Sequence, residues 1–207
     1  MHPTQGVCLA TGLTLGLMAP LMPGSLLLQA KAASSPSFDR AKASGQVEQL
    51  ICRDAELAAL DRQMAATYAK AMHNWPANVA KEQQAVQIGW IKGRNDCWKA
   101  DNQRACVQNA YQTRLVELQI QGGLVEAPSP VSYRCKGLKQ QPVTAAFYNN
   151  TKPKAAVLTV GDDQAIAIVA PSGSGARYTA ANVEFWEHQG SVTLQWFGKT
   201  LSCKPRG

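Results

Sequence analysis

The sequence predicts a segregated α+β protein, an all-α three-helix bundle followed by a small all-β antiparallel barrel. Three observations predict it. Apolar residues recur at three- and four-residue steps up to about Ile120, a Gly/Pro-rich break follows, and beyond it come short runs rich in Val, Thr, Phe, Tyr and Trp. A length of 207 residues, 45% apolar and 17% charged, fits two small domains and excludes a disordered chain.

The helical half spans residues 37–120. In DAELAALDRQMAATYAKAM, Leu57, Leu60, Met64, Tyr68, Ala71 and Met72 form one apolar stripe behind Asp54, a natural N-cap. A second helix runs from about Asn78 to Trp98, with Val79, Val86 and Trp90 on one stripe. Its Gly89 and Gly93 each cost about 1 kcal/mol relative to Ala, which a close helix contact would offset. A third starts near Asn102 and carries Val107, Tyr111, Leu115 and Leu118. Residues 121–130, with Gly122-Gly123, Pro128 and Pro130, read as a linker. Residues 131–207 hold VSYRC, VTAAFY, AAVLTV, AIAIVA, ARYT, VEFWEH and SVTLQWF, strand-like runs punctuated by Gly, Asn, Asp and Pro.

Ahead of these, residues 7–28 carry no charge, Pro20, Pro23 and Gly24 interrupt them, and Ala30-Lys31-Ala32 offers a small-x-small cleavage site. Residues 1–32 therefore read as a signal peptide, with a periplasmic or secreted mature chain and no membrane span after processing. That chain keeps Cys52, Cys97, Cys106, Cys135 and Cys203, an odd number that leaves one thiol unpaired or available for a dimer. About 75 residues make a marginal barrel core, so a disulfide between Cys135 and Cys203, in its first and last strands, is expected. No CxxC occurs and only His73 and His188 remain, which speaks against metal; no cofactor is implied. No nucleophile sits beside a base, which speaks against an enzyme. The 21 basic against 14 acidic residues form no dense basic run, which speaks against nucleic acid.

Residues 133–203 resemble the MliC/PliC family of c-type lysozyme inhibitors. The elements that match are YRC at 133–135, Ser174-Gly175-Ala176-Arg177-Tyr178 for an SGxxY signature, Phe185-Trp186, Gly190 and the closing Cys203. The helical half is similar to the LprI-type lysozyme-inhibitor family through Phe38-Asp39-Arg40, Glu48 to Cys52, Leu57 to Asp61, Gln87 to Cys97, and Cys106. Arg40 stands where that family has its first cysteine. One of Cys52, Cys97 and Cys106 therefore loses its partner; Cys52 can pair with Cys97 or Cys106, and Cys106 is the favoured choice.

The resemblance implies c-type lysozyme as partner. That enzyme works with one protonated and one ionised carboxyl group in an open cleft. A serine hydroxyl can donate to the ionised group and accept from the protonated one, so Ser174 is the residue expected to insert. Gly173 and Gly175 would flank it with little bulk, and Tyr178, also counted among the lysozyme-binding residues, would pack behind the loop or hydrogen-bond within it. Gly175 and Arg177 complete the expected contact segment. Where the family carries a lysine near FxxKG, this chain has His188 and one extra residue before Gly190. Imidazole in general gains its proton near pH 6.5, so an ionic contact through His188 would strengthen on acidification.

Plainer readings stand beside these. SGSG is an ordinary flexible turn, Trp186 and Trp196 are core or half-buried strand residues, and Trp90 with Arg94 is a structural stacking pair. From Val131 on, nine basic against four acidic residues give +5, which opposes long-range attraction to a cationic lysozyme. That surplus supports the rival reading, a non-catalytic module binding peptidoglycan, membrane or another envelope protein.

Overall fold

The structure is a computed structural model that describes residues 35–138 and 142–206. The signal-peptide reading of residues 1–32 lies outside them. No helix among the described residues is long and apolar enough to cross a membrane.

A 3-10 turn, Arg40–Lys42, leads into four helices: α1 (Gln46–Arg53), α2 (Ala55–Asn74), α3 (Ala77–Asn95) and α4 (Gln103–Gln121). Three correspond to the expected helices, and α1 precedes them as a short fourth. Asp54 ends α1 and caps α2, its carboxylate accepting the N–H groups of Glu56 and Leu57, each at 3.0 Å. Leu57, Met64 and Ala71 of α2 meet Val107, Tyr111, Leu115 and Leu118 of α4, together with Val47 and Ile51 of α1, in one buried cluster.

Helix α3 packs differently from its expected stripe. Its buried side chains are Gln87 and Arg94, while Val86 is 47% exposed. A Cβ at Gly89 or Gly93 would meet nothing within 4 Å, so no close contact offsets their helix-weakening effect. Polar groups take the place of that stripe in the bundle core. Asp61, 1% exposed, accepts from the Tyr111 hydroxyl at 2.7 Å and from the N–H and hydroxyl of Ser37 at 2.6 and 2.5 Å, and lies 3.6 Å from the Arg94 guanidinium. Arg94 donates to the same tyrosine hydroxyl at 2.7 Å and stacks on Trp90. Burial chiefly pushes the Tyr111 phenol far up, so it serves as a neutral donor and acceptor between acid and base.

The favoured Cys52–Cys106 pairing is not formed. A 3-10 turn at Asp96–Lys99 reverses the chain between α3 and α4, bringing Cys97 and Cys106 to a Cα separation of 5.6 Å, and these two are bonded. Cys52, half-buried on α1, is free. The Arg40 guanidinium donates to its carbonyl oxygen at 2.5 Å, so the residue standing in the family's cysteine position lies beside the thiol left without a partner.

Residues 122–130 form neither helix nor strand. Eight antiparallel strands then close into a barrel, each bonded to the next and β8 to β1: β1 Val131–Cys135, β2 Val143–Tyr148, β3 Ala155–Val160, β4 Asp163–Ala170, β5 Ala176–Ala180, β6 Val183–His188, β7 Ser191–Trp196 and β8 Lys199–Pro205. Closure leaves no free sheet edge. Alternate side chains such as Ala145, Leu158, Phe185 and Leu194 fill the interior, and Cys135 is bonded to Cys203 across β1 and β8. On the outside of β2 to β4, Tyr148 and Ala155 are buried against Val116 of α4, with Ile166 and Ile168 packed around them. The two halves share this apolar contact.

Candidate functional site

The loop of residues 171–175 joins β4 to β5. Pro171 has no N–H to continue the ladder, and the loop residues are all exposed. Gly175 has φ +69°, and a Cβ there would sit 1.9 Å from the Glu187 carbonyl oxygen of β6. Only glycine fits both the left-handed backbone and that approach. Gly173 uses neither freedom, since its φ is not positive and nothing lies within 4 Å of a Cβ there, so the flanking role expected of both glycines falls to Gly175 alone.

The Ser174 carbonyl is held twice, accepting from the Ser172 hydroxyl at 2.5 Å and from the Trp186 indole N–H at 3.0 Å. The Ser174 N–H donates back to the Ser172 hydroxyl at 3.4 Å. Among the described residues the Ser174 hydroxyl has no hydrogen-bond partner. The main chain of the tip is therefore tied down while its one reactive polar atom is presented to solvent.

Strand β6 carries the support. Phe185 points inward, so its neighbours Glu184 and Trp186 point outward. Trp186 lies opposite Arg177 of β5 in register, is 37% exposed, and stacks on His188 with ring centres 5.7 Å apart and planes 24° from parallel. Arg177 donates to the Glu184 carboxylate through Nε at 3.0 Å and Nη2 at 2.5 Å. This pair engages the arginine within its own wall. His188 ends β6, before the Gln189-Gly190 turn in which both residues have positive φ.

Ser174, Gly175, Arg177 and His188 thus gather at the β4–β5 corner of the barrel. Tyr178 lies elsewhere. It is 7% exposed and faces the interior, 5.5 Å from the Phe147 ring and 6.3 Å from that of Phe185. Burial raises its pKa, so it remains a neutral packing group that fixes β5 from within. Trp196, 6% exposed, is likewise core. The residue that sequence reasoning undervalued is Trp186. Its outward position followed from the two-residue period of VEFWEH, but its bond to the loop carbonyl depends on a β5–β6 register that no sequence pattern prints.

The tip is convex. Two grooves of about 540 and 570 Å³ lie where α4 crosses the barrel, lined by residues such as Glu117, Thr144 and Ile166 in one and Gln112, Ile168, Pro171 and Thr179 in the other.

Residues 133–202 match the family model MliC, described as "Membrane-bound lysozyme-inhibitor of c-type lysozyme". Across both halves the chain is 39% identical over 191 residues to lipoprotein LprI of Mycobacterium bovis and of Mycobacterium tuberculosis, covering 87% of this chain and 94% of each relative. No solved structure matches the chain. A relationship spanning helices and barrel alike, with an MliC match over the strands that carry the loop, leaves one conclusion: the chain belongs to the LprI family, with its MliC domain on the C-terminal barrel.

Proposed function

We propose that this protein is a non-enzymatic inhibitor of c-type lysozyme in the bacterial envelope, exported to the periplasm or secreted, which seats the Ser174 tip in the enzyme's active-site cleft. The observation that carries the reading is the exposed Ser174 hydroxyl on a main chain tied to β6 by Trp186 and by the close approach of Gly175. A tip ordered before binding loses little conformational freedom on docking. Its hydroxyl can donate to the ionised catalytic carboxylate and accept from the protonated one, blocking both groups without being cleaved. Support for lysozyme as the target comes from the MliC match and the LprI relationship.

The test is inhibition of hen-type lysozyme on a bacterial cell-wall suspension by the full chain. Ser174→Ala removes one hydrogen bond to a charged group and should weaken inhibition about tenfold or more. Ser174→Trp should abolish it by bulk. Trp186→Phe keeps the ring and loses the N–H, and should weaken inhibition about fivefold by freeing the loop carbonyl. Unchanged inhibition in both Ser174 variants would remove the loop from the mechanism.

A further inference from the structure

The positive excess of the barrel is concentrated on one wall. Arg134 of β1 and Lys204 of β8 are directly opposed in register and exposed. The Lys136 N–H bonds the Ser202 carbonyl and the Arg206 N–H bonds the Ser132 carbonyl, so the seam continues past both strand ends and places Lys136 and Arg206 along it, exposed as well. Like charges directly opposite on neighbouring strands destabilise a sheet. No ion pair among the described residues relieves these four. The acidic residues from Val131 on, Asp162, Asp163, Glu184 and Glu187, lie at the β3–β4 turn or on β6.

We infer that the β8–β1 wall is a docking face for an anionic phospholipid bilayer. Its charge complements such a surface. The remaining outward side chains of the wall and of adjoining β7 include Ser132, Ser202, Thr193 and Gln195, short polar groups able to bond headgroups. The outward positions of Ser132, Arg134, Ser202 and Lys204 bear no aromatic anchor of the kind that centres a protein–protein interface. The geometry also answers the objection that a cationic barrel repels a cationic lysozyme. Strand β5, which begins at the Ser174 loop, is four strands from β1 in the eight-stranded ring, so the cations face one way and the loop another.

The experiment is co-sedimentation of the full chain with phosphatidylcholine vesicles and with vesicles containing phosphatidylglycerol. The expected result is an increment of binding that depends on phosphatidylglycerol, falls with added salt, and drops about fivefold for each of Arg134→Gln, Lys136→Gln, Lys204→Gln and Arg206→Gln. Removing two cations elsewhere, Lys81→Gln with Lys92→Gln on α3, should leave it within about twofold, and lysozyme inhibition by the quadruple variant should be unchanged. An increment equal in the quadruple variant and the wild type, no increment at all, or preferential charge-dependent retention on purified peptidoglycan would each overturn the inference.

Discussion

The two halves use their motif residues in opposite ways. In the helical half Asp61, Gln87 and Arg94, all within the LprI-like segments, are buried and bonded to one another's neighbours: Asp61 and Arg94 through Tyr111, Gln87 to Arg114 at 3.0 Å. In the barrel the core is apolar, and the signature residues Ser174 and Gly175 stand outside it. The matched segments therefore contribute a buried polar network in one region and, in the other, an exposed loop beside the inward-facing Tyr178. Burial decides between them, because a buried polar group must be satisfied internally while an exposed one remains free to meet a partner.

The way each half is cross-linked sharpens the contrast. The Cys135–Cys203 bond closes a 68-residue separation and the Cys97–Cys106 bond one of 9 residues. Loop-closure entropy then predicts a loss of about 4 kcal/mol when the barrel pair is replaced by serine, against about 2.5 kcal/mol for the helical pair. Denaturant unfolding of both double variants measures the difference, and equal losses would mean that the barrel's ring of strands, rather than its bond, holds the ends together.

A smaller loss tests the polar core. Asp61→Ala leaves the Arg94 guanidinium and the Tyr111 hydroxyl buried without their acceptor and releases Ser37, and should cost about 3 kcal/mol. Thermal unfolding reads that cost. Lysozyme inhibition measured well below the melting temperature should survive, because the network lies in the helical half and the loop does not draw on it.

Legibility in the sequence followed the same division. The α2 stripe and the strand runs could be read because their apolar residues meet an apolar core, so period and burial agree. Helix α3 defeated that logic: its buried side chains are Gln87 and Arg94, and its Val86 faces water. The signature segment placed Ser174 correctly as a loop residue, yet could not separate the outward Arg177 from the inward Tyr178, one residue apart, without the strand's facing. The cysteine pairing was hidden for a local reason, a 3-10 turn that brings Cys97 back over Cys106.

Cys52 offers a gain rather than a loss. The Arg40 side chain already reaches the Cys52 carbonyl, so Arg40→Cys places two thiols twelve residues apart in neighbouring segments. Formation of that third bond should raise stability by about 2.8 kcal/mol. Thiol counting and mass spectrometry under non-reducing conditions would show the free cysteine disappear; a variant that keeps two free thiols would mean that the segment holding residue 40 is set by the arginine contact alone.

The smallest effect separates a charge at the surface of the helical half from its buried network. Two N–H bonds, that of Leu57 foremost, and the Arg104 guanidinium hold the Asp54 carboxyl below its ordinary pKa. A depressed folded-state pKa means that the stabilisation is present above the unfolded carboxylate value, near 3.9, and is lost as pH falls through the folded one. Asp54→Ala should therefore cost about 1 kcal/mol at neutral pH, the usual value of an N-cap, with the partly exposed arginine pair adding little. The gap between variant and wild type should narrow once the pH drops below about 4. Unfolding curves at neutral pH and at pH values below the carboxylate range give both numbers. A gap that stays constant would assign the effect to helix packing at residue 54 rather than to the charge, and would make the apolar stripe of α2 its main support.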